Sequence, residues 1–142
     1  MEYIYSKIDN RLLHVINRLE DITGRNDIIP SNNFIQCATL KMEKGKTFDP
    51  HKHITKNRHY PEQIAQESWV VIKGSVKCIL YDLDNTIIAE PILKQGDASF
   101  TLYGGHTYKI LEEDTIVYEY KTGPYEGQQL DKEFIWDIII LQ

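Results

Sequence analysis

A chain of 142 residues with 42% apolar content is long enough for one domain with a real core, and folding at this size hides roughly two thirds of the unfolded surface. The net charge of −5, with acids and bases interspersed, leaves no basic stripe to follow a phosphate backbone and so excludes a nucleic-acid partner. No run of 18 apolar residues exists to cross a membrane, and the polar start MEYIYSKIDN is unlike a signal sequence, so the expectation is a soluble, cytoplasmic protein.

Along the chain, Asp9-Asn10 signals a turn, and LLHVIN after it reads as a strand, although RLLHVINRLED can also be written as a helix. Leu19 to Gly24 reads as a short helical turn and Arg25 to Asn33 as loop. Strands are expected at Phe34 to Met42 and Thr47 to Ile54, followed by a polar insertion from Thr55 to Gln66. Further strands follow at Glu67 to Lys73 and Ser75 to Asp82. A hairpin loop at Asp82 to Thr86 leads back through Thr86 to Leu93, interrupted by Pro91. Ala98 to Tyr103, His106 to Leu111 and Thr115 to Lys121 complete the set, and FIWDIIILQ closes the chain as an apolar strand or edge. Eight to ten short strands separated by turn residues, with no long helix, imply an all-β sandwich, jelly roll or small barrel. Cys37 and Cys78 are isolated, which fits two free thiols rather than a disulfide framework.

Histidines carry the functional signal. In an extended segment around Pro50 to Ile54 the side chains alternate, so His51 and His53 point the same way, about 6 to 7 Å apart at Cα. Two imidazoles on one wall can close on one metal ion, with Glu67 and His106 as candidates for the remaining ligands. Alternation puts Glu67, Trp69, Val71 and Lys73 on one face of their strand. The plainer reading makes His51 and His53 exposed edge-strand residues, Glu67 a surface acid and His106 a turn residue. His59 reads as a solvated loop residue and His14 as structural.

The spacing Gly45, five residues, His51-x-His53, then Glu67, six residues, Gly74 resembles the first motif of the cupin superfamily. Gly96, five residues, Leu102-x-Gly104, one residue, His106 follows the second motif loosely, with Leu102 where proline is usual and His106 one residue early. Thirteen residues separate His53 from Glu67 where three or four are usual. GGHTYKILEED and YKTGPYEG are similar to small single-domain cupins found near genes for surface polysaccharide or sugar-nucleotide synthesis. The resemblance implies a double-stranded β-helix in one domain over 1–142, with N-terminal strands in 1–44, a barrel core in 45–121 and a tail in 122–142. It also implies one divalent metal, Zn, Fe, Mn or Ni, held by His51, His53, Glu67 and His106.

Around such a centre, Glu119 and Tyr108 are the candidates for proton transfer, with Lys121 beside Glu119 on its strand face. Trp69, Tyr103 and Tyr108 could form an aromatic wall for a sugar ring, or simply pack the core. Expected partners are a sugar-like small molecule and a second copy of the chain in a homodimer. Two function classes remain open. One is a metal-dependent isomerase, epimerase or oxygenase acting on a sugar or sugar nucleotide; the other is a non-catalytic carbohydrate-binding module with a structural metal.

Overall fold

The computed structural model describes residues 1–39, 44, 46–50, 64–122 and 133–135. Its strands are β1 (Glu2–Tyr5), β2 (Leu12–Asn17), β3 (Asn26–Asp27), β4 (Ala38–Thr39), β5 (Glu67–Lys73) and β6 (Ser75–Tyr81). They continue with β7 (Ile87–Ala89), β8 (Ile92–Lys94), β9 (Ala98–Thr101), β10 (Gly105–Ile110) and β11 (Ile116–Lys121). The sole helical element among the described residues is a single 3₁₀ turn at Leu19–Asp21. No helix of the described residues is long and apolar enough to cross a membrane.

The all-β expectation holds. Five strands form an antiparallel sheet in the order β1-β2-β9-β5-β11, and a second antiparallel sheet runs β10-β6-β7 with β8 also paired to β6. In the first sheet, the central strands β2 and β9 are buried on both faces. Val15, Ala98 and Phe100 pack on its outer side with Ile28, Ile29 and Leu102, while Ile16 and Val71 meet Val76, Cys78, Leu80 and Leu93 of the second sheet on its inner side. Double-sided burial explains why β2 is an unbroken apolar run instead of an alternating one.

The chain passes from one sheet to the other at Gly74, between β5 and β6. Its φ of +84° favours glycine, and a Cβ there would fall on the Thr115 hydroxyl. The expected hairpin loop forms after β6, where the Asp82 amide donates to the Thr86 carbonyl at 2.8 Å and Asn85 takes φ +66°. Pro91 splits the returning arm into β7 and β8. It has no N–H to donate, but its carbonyl accepts from the Cys78 amide at 2.9 Å, so the gap is narrow.

Several sequence expectations differ from the structure, among them Arg25 to Asn33, read as loop, where Asn26–Asp27 is the strand β3. Phe34 to Met42 was expected as one strand, but only Ala38–Thr39 is strand, in a two-residue ladder with β3, and Leu40 to Met42 lie outside the described residues. Phe34 to Cys37 serves instead in the lobe over the outer sheet face. Ile35 and Cys37 pack on that cluster, the Cys37 carbonyl accepts from the Ile28 amide, and the Ile35 amide donates to the Gln66 side chain. For Thr47 to Ile54, residues 47–50 are not strand and 51–54 lie outside the described residues. β1, absent from the sequence reading, pairs with β2. Both cysteines are free thiols, Cys78 buried and Cys37 half-buried, and burial pushes the Cys78 thiol up to about 11.

Candidate functional site

Strand register lays two polar rungs across the inner face of the five-stranded sheet. His14 pairs with Thr101, Thr101 with Glu67, and Glu67 with Lys121. One rung along, Ile16 pairs with Ser99, Ser99 with Trp69, and Trp69 with Glu119. The opposing sheet supplies the lid of each rung from β10, with His106 above the first and Tyr108 above the second. Period-two alternation makes this possible, since Glu67 and Trp69, Ser99 and Thr101, and His106 and Tyr108 are each two residues apart.

On the first rung, the His106 Nε2 lies 3.4 Å from Glu67 Oε1, and its Nδ1 lies 2.9 Å from the Thr101 hydroxyl. The same hydroxyl lies 3.2 Å from His14 Nδ1, whose Nε2 is 3.3 Å from the Tyr81 carbonyl oxygen. His14 and Thr101 are buried, while the His106 and Glu67 side chains keep 23% and 15% of their surface in contact with solvent. The rung therefore runs from a dry inner end to a solvent-reachable pair. Burial also lowers the His14 pKa to about 4, so this ring is neutral at physiological pH.

On the second rung, Trp69 stacks on Tyr108 with ring centroids 3.8 Å apart and planes 8° apart. The Trp69 indole N–H donates to Glu119 Oε2 at 3.0 Å, and the Tyr108 hydroxyl lies 3.3 Å from Ser99 Oγ. Burial pushes the Tyr108 phenol well above its ordinary range, only partly offset by the Ser99 bond. Tyr108 is thus a protonated phenol held inside the wall. Glu119 is exposed, and its carboxylate is oriented by the indole.

Of the residues expected to carry chemistry, the fold brings Glu67, His106, Tyr108 and Glu119 to one inner face. His51, His53 and His59 lie outside the described residues. Among the described residues no group of three or more His, Cys, Asp or Glu side chains could hold a metal; of the four expected ligands, Glu67 and His106 are the two brought together there. That pair fits a shared ion. Two ligands bound at about 2.1 Å and separated by a tetrahedral angle stand about 3.4 Å from one another.

The aromatic wall is smaller than the sequence suggested. Tyr103 packs on the outer cluster, with the Arg11 guanidinium 4.8 Å from its ring centre, so among the described residues the inner wall is formed by Trp69 and Tyr108. Sequence reasoning passed over Thr101 as a site residue and placed His14 in the scaffold only. A signal was present, because A-S-F-T inserts two hydroxyls at alternate positions of a wholly buried strand. What those hydroxyls meet depends on cross-strand register.

No protein-family profile, curated protein or solved structure matches this chain. Its fold and site accordingly rest on the chain's own residues.

Proposed function

We propose that this chain is a metal-dependent protein of cupin-like, double-stranded β-helical design, acting as an isomerase or epimerase on a sugar-like small molecule. The observation that carries the reading is the convergence of His106 Nε2 and Glu67 Oε1, from opposite sheets, at a spacing two ligands of one ion would have. His51 and His53, which lie outside the described residues, would complete the ligand set, since their motif keeps its distance from Gly45. Three imidazoles and a carboxylate suit Zn²⁺, Fe²⁺, Mn²⁺ or Ni²⁺. Such an ion, when bound, supplies a Lewis acid that polarises a carbonyl or hydroxyl of the substrate.

The protein's own residues then divide the remaining work. Trp69 and Tyr108 offer an apolar wall against which a sugar ring can lie. Glu119, solvent-reachable and oriented by the indole N–H, is the group that takes and returns a proton. Tyr108 is too strongly held in its protonated form to act as a base and serves as wall. A proton-handling carboxylate beside the wall favours isomerisation or epimerisation over oxygenation. The second reading, a carbohydrate-binding module with a structural metal, draws on the Tyr108 hydroxyl being turned to Ser99.

A homodimer contact fits the edge at β11, where Ile116, Tyr118 and Tyr120 are exposed. The apolar tail considered for the same role lies, apart from Phe134 and Ile135, outside the described residues.

Elemental analysis of protein purified without added metal tests the central claim. Wild type is expected to hold close to one equivalent of a first-row divalent metal, with loss in His51→Ala/His53→Ala and in Glu67→Ala/His106→Ala. Equal metal content in all three proteins would remove the reading. For the catalytic reading, Glu119→Gln is expected to abolish turnover of an active sugar nucleotide while leaving its binding intact.

A further inference from the structure

We propose that His14 and Thr101 are positioning residues, a buried hydrogen-bond relay that holds His106 as its Nδ1–H tautomer and turns the Nε2 lone pair toward Glu67. The Tyr81 carbonyl oxygen can only accept, so His14 Nε2, 3.3 Å from it, carries a proton. His14 is 1% exposed and, among the described residues, has the Thr101 hydroxyl and the Tyr81 carbonyl as its hydrogen-bond partners and no carboxylate, so it is a neutral imidazole with one N–H. Its Nδ1 must then accept, and the donor 3.2 Å away is the Thr101 hydroxyl.

A hydroxyl has one proton. With that proton given to His14, Thr101 Oγ1 presents only lone pairs to His106 Nδ1 at 2.9 Å, which therefore carries the proton of that bond. In neutral His106 the other nitrogen, Nε2, is left unprotonated beside Glu67 Oε1 at 3.4 Å. A histidine side chain in water favours the opposite form, with the proton on Nε2. Three bonds spanning β6, β2, β9 and β10 reverse that preference. On the metal reading above, the relay leaves His106 able to ligate without first losing an Nε2 proton.

Long-range ¹H–¹⁵N correlation spectra of the chelator-treated, metal-free protein, at a pH where His106 is neutral, test the relay directly. His14 is expected as Nε2–H and His106 as Nδ1–H, with a pyridine-like shift at His106 Nε2. Thr101→Val should release His106 toward the Nε2–H form, and Thr101→Ser should restore the wild-type pattern. A wild-type His106 protonated on Nε2, or a pattern unchanged in Thr101→Val, overturns the relay. If Thr101→Val fails to fold, the wild-type and Thr101→Ser spectra decide. Titration with Zn²⁺ separates the relay from the metal reading. With both correct, Thr101→Val binds zinc about 10- to 100-fold more weakly than wild type. The expected tautomers in a wild type that binds no zinc would support the relay and remove the metal reading.

Discussion

His106 and Glu67 come from different sheets, yet their Nε2 and Oε1 atoms stand 3.4 Å apart with both side chains partly open to solvent. On the proposed metal reading, these two atoms would ligate one ion. Glu67→Gln keeps the shape and removes the charge, so it separates ligation from packing. The expected result is zinc binding weakened by more than about 100-fold, since even outer-shell changes cost 10- to 100-fold. Thermal stability of the metal-free protein should barely change. A chelator-competition titration measures the affinity, and an unaltered constant would show that the two side chains do not share an ion.

His14 predicts an acid-labile fold. Its pKa falls from the ordinary 6.5 to about 4, chiefly through burial, with Tyr81, His106 and Asp82 as smaller influences. The unfolded chain therefore takes up a proton between those values that the folded chain refuses. Stability is full above pH 6.5 and declines as pH falls toward 4, by about 3 kcal/mol at the limit. Urea unfolding followed across that range should show the decline in wild type and a shallower slope in His14→Gln. Equal slopes would mean that His14 is not a buried neutral ring.

Much of this fold is legible in the chain because its punctuation is local. Gly74, Asp82 to Thr86, Pro91 and Gly96 each end a strand by their own backbone preferences, and those boundaries agree with the structure to within a residue or two. Alternation likewise placed Glu67 with Trp69, and Val117 with Glu119 and Lys121, on shared faces that are found on the inner side. The register between strands is not local. Thr101 touches both His14 and His106 only because β2 and β10 arrive on opposite sides of it, which no spacing within one strand records. Phe34 to Cys37 has strand-like composition, but the outer sheet face needs an apolar cover, and tertiary burial outweighs propensity there.

Asp97 ties the turn after β8 to the end of β2. Its carboxylate accepts from Arg18 at 3.0 Å, from the Leu19 amide at 3.1 Å and from the Lys94 amide at 2.9 Å, while the residue is 7% exposed. Asp97→Ala leaves two backbone donors and a guanidinium without that acceptor. The expected cost is about 2–3 kcal/mol. Chemical denaturation measures it, and Arg18→Ala should cost less, because the two amides keep their acceptor. A loss below about 0.5 kcal/mol for Asp97→Ala would mean that water replaces the carboxylate, as at ordinary surface sites.

Gly104 connects the backbone to the relay. Its φ is +80°, and a Cβ added there would sit 2.5 Å from the Tyr81 carbonyl oxygen, the atom on which His14 Nε2 ends. Gly104→Ala therefore imposes a left-handed alanine and a collision with backbone that cannot swing aside as a side chain can. The expected destabilisation is about 2–3 kcal/mol. Gly24 is the control, since nothing lies within 4 Å of a Cβ there, and Gly24→Ala should change stability by less than about 0.5 kcal/mol. Because the displaced carbonyl is the acceptor for His14, the ring ¹⁵N shifts of His14 should move in Gly104→Ala and stay fixed in Gly24→Ala. Destabilisation without any change at His14 would place the strain in the turn alone and leave the Tyr81 carbonyl where it is.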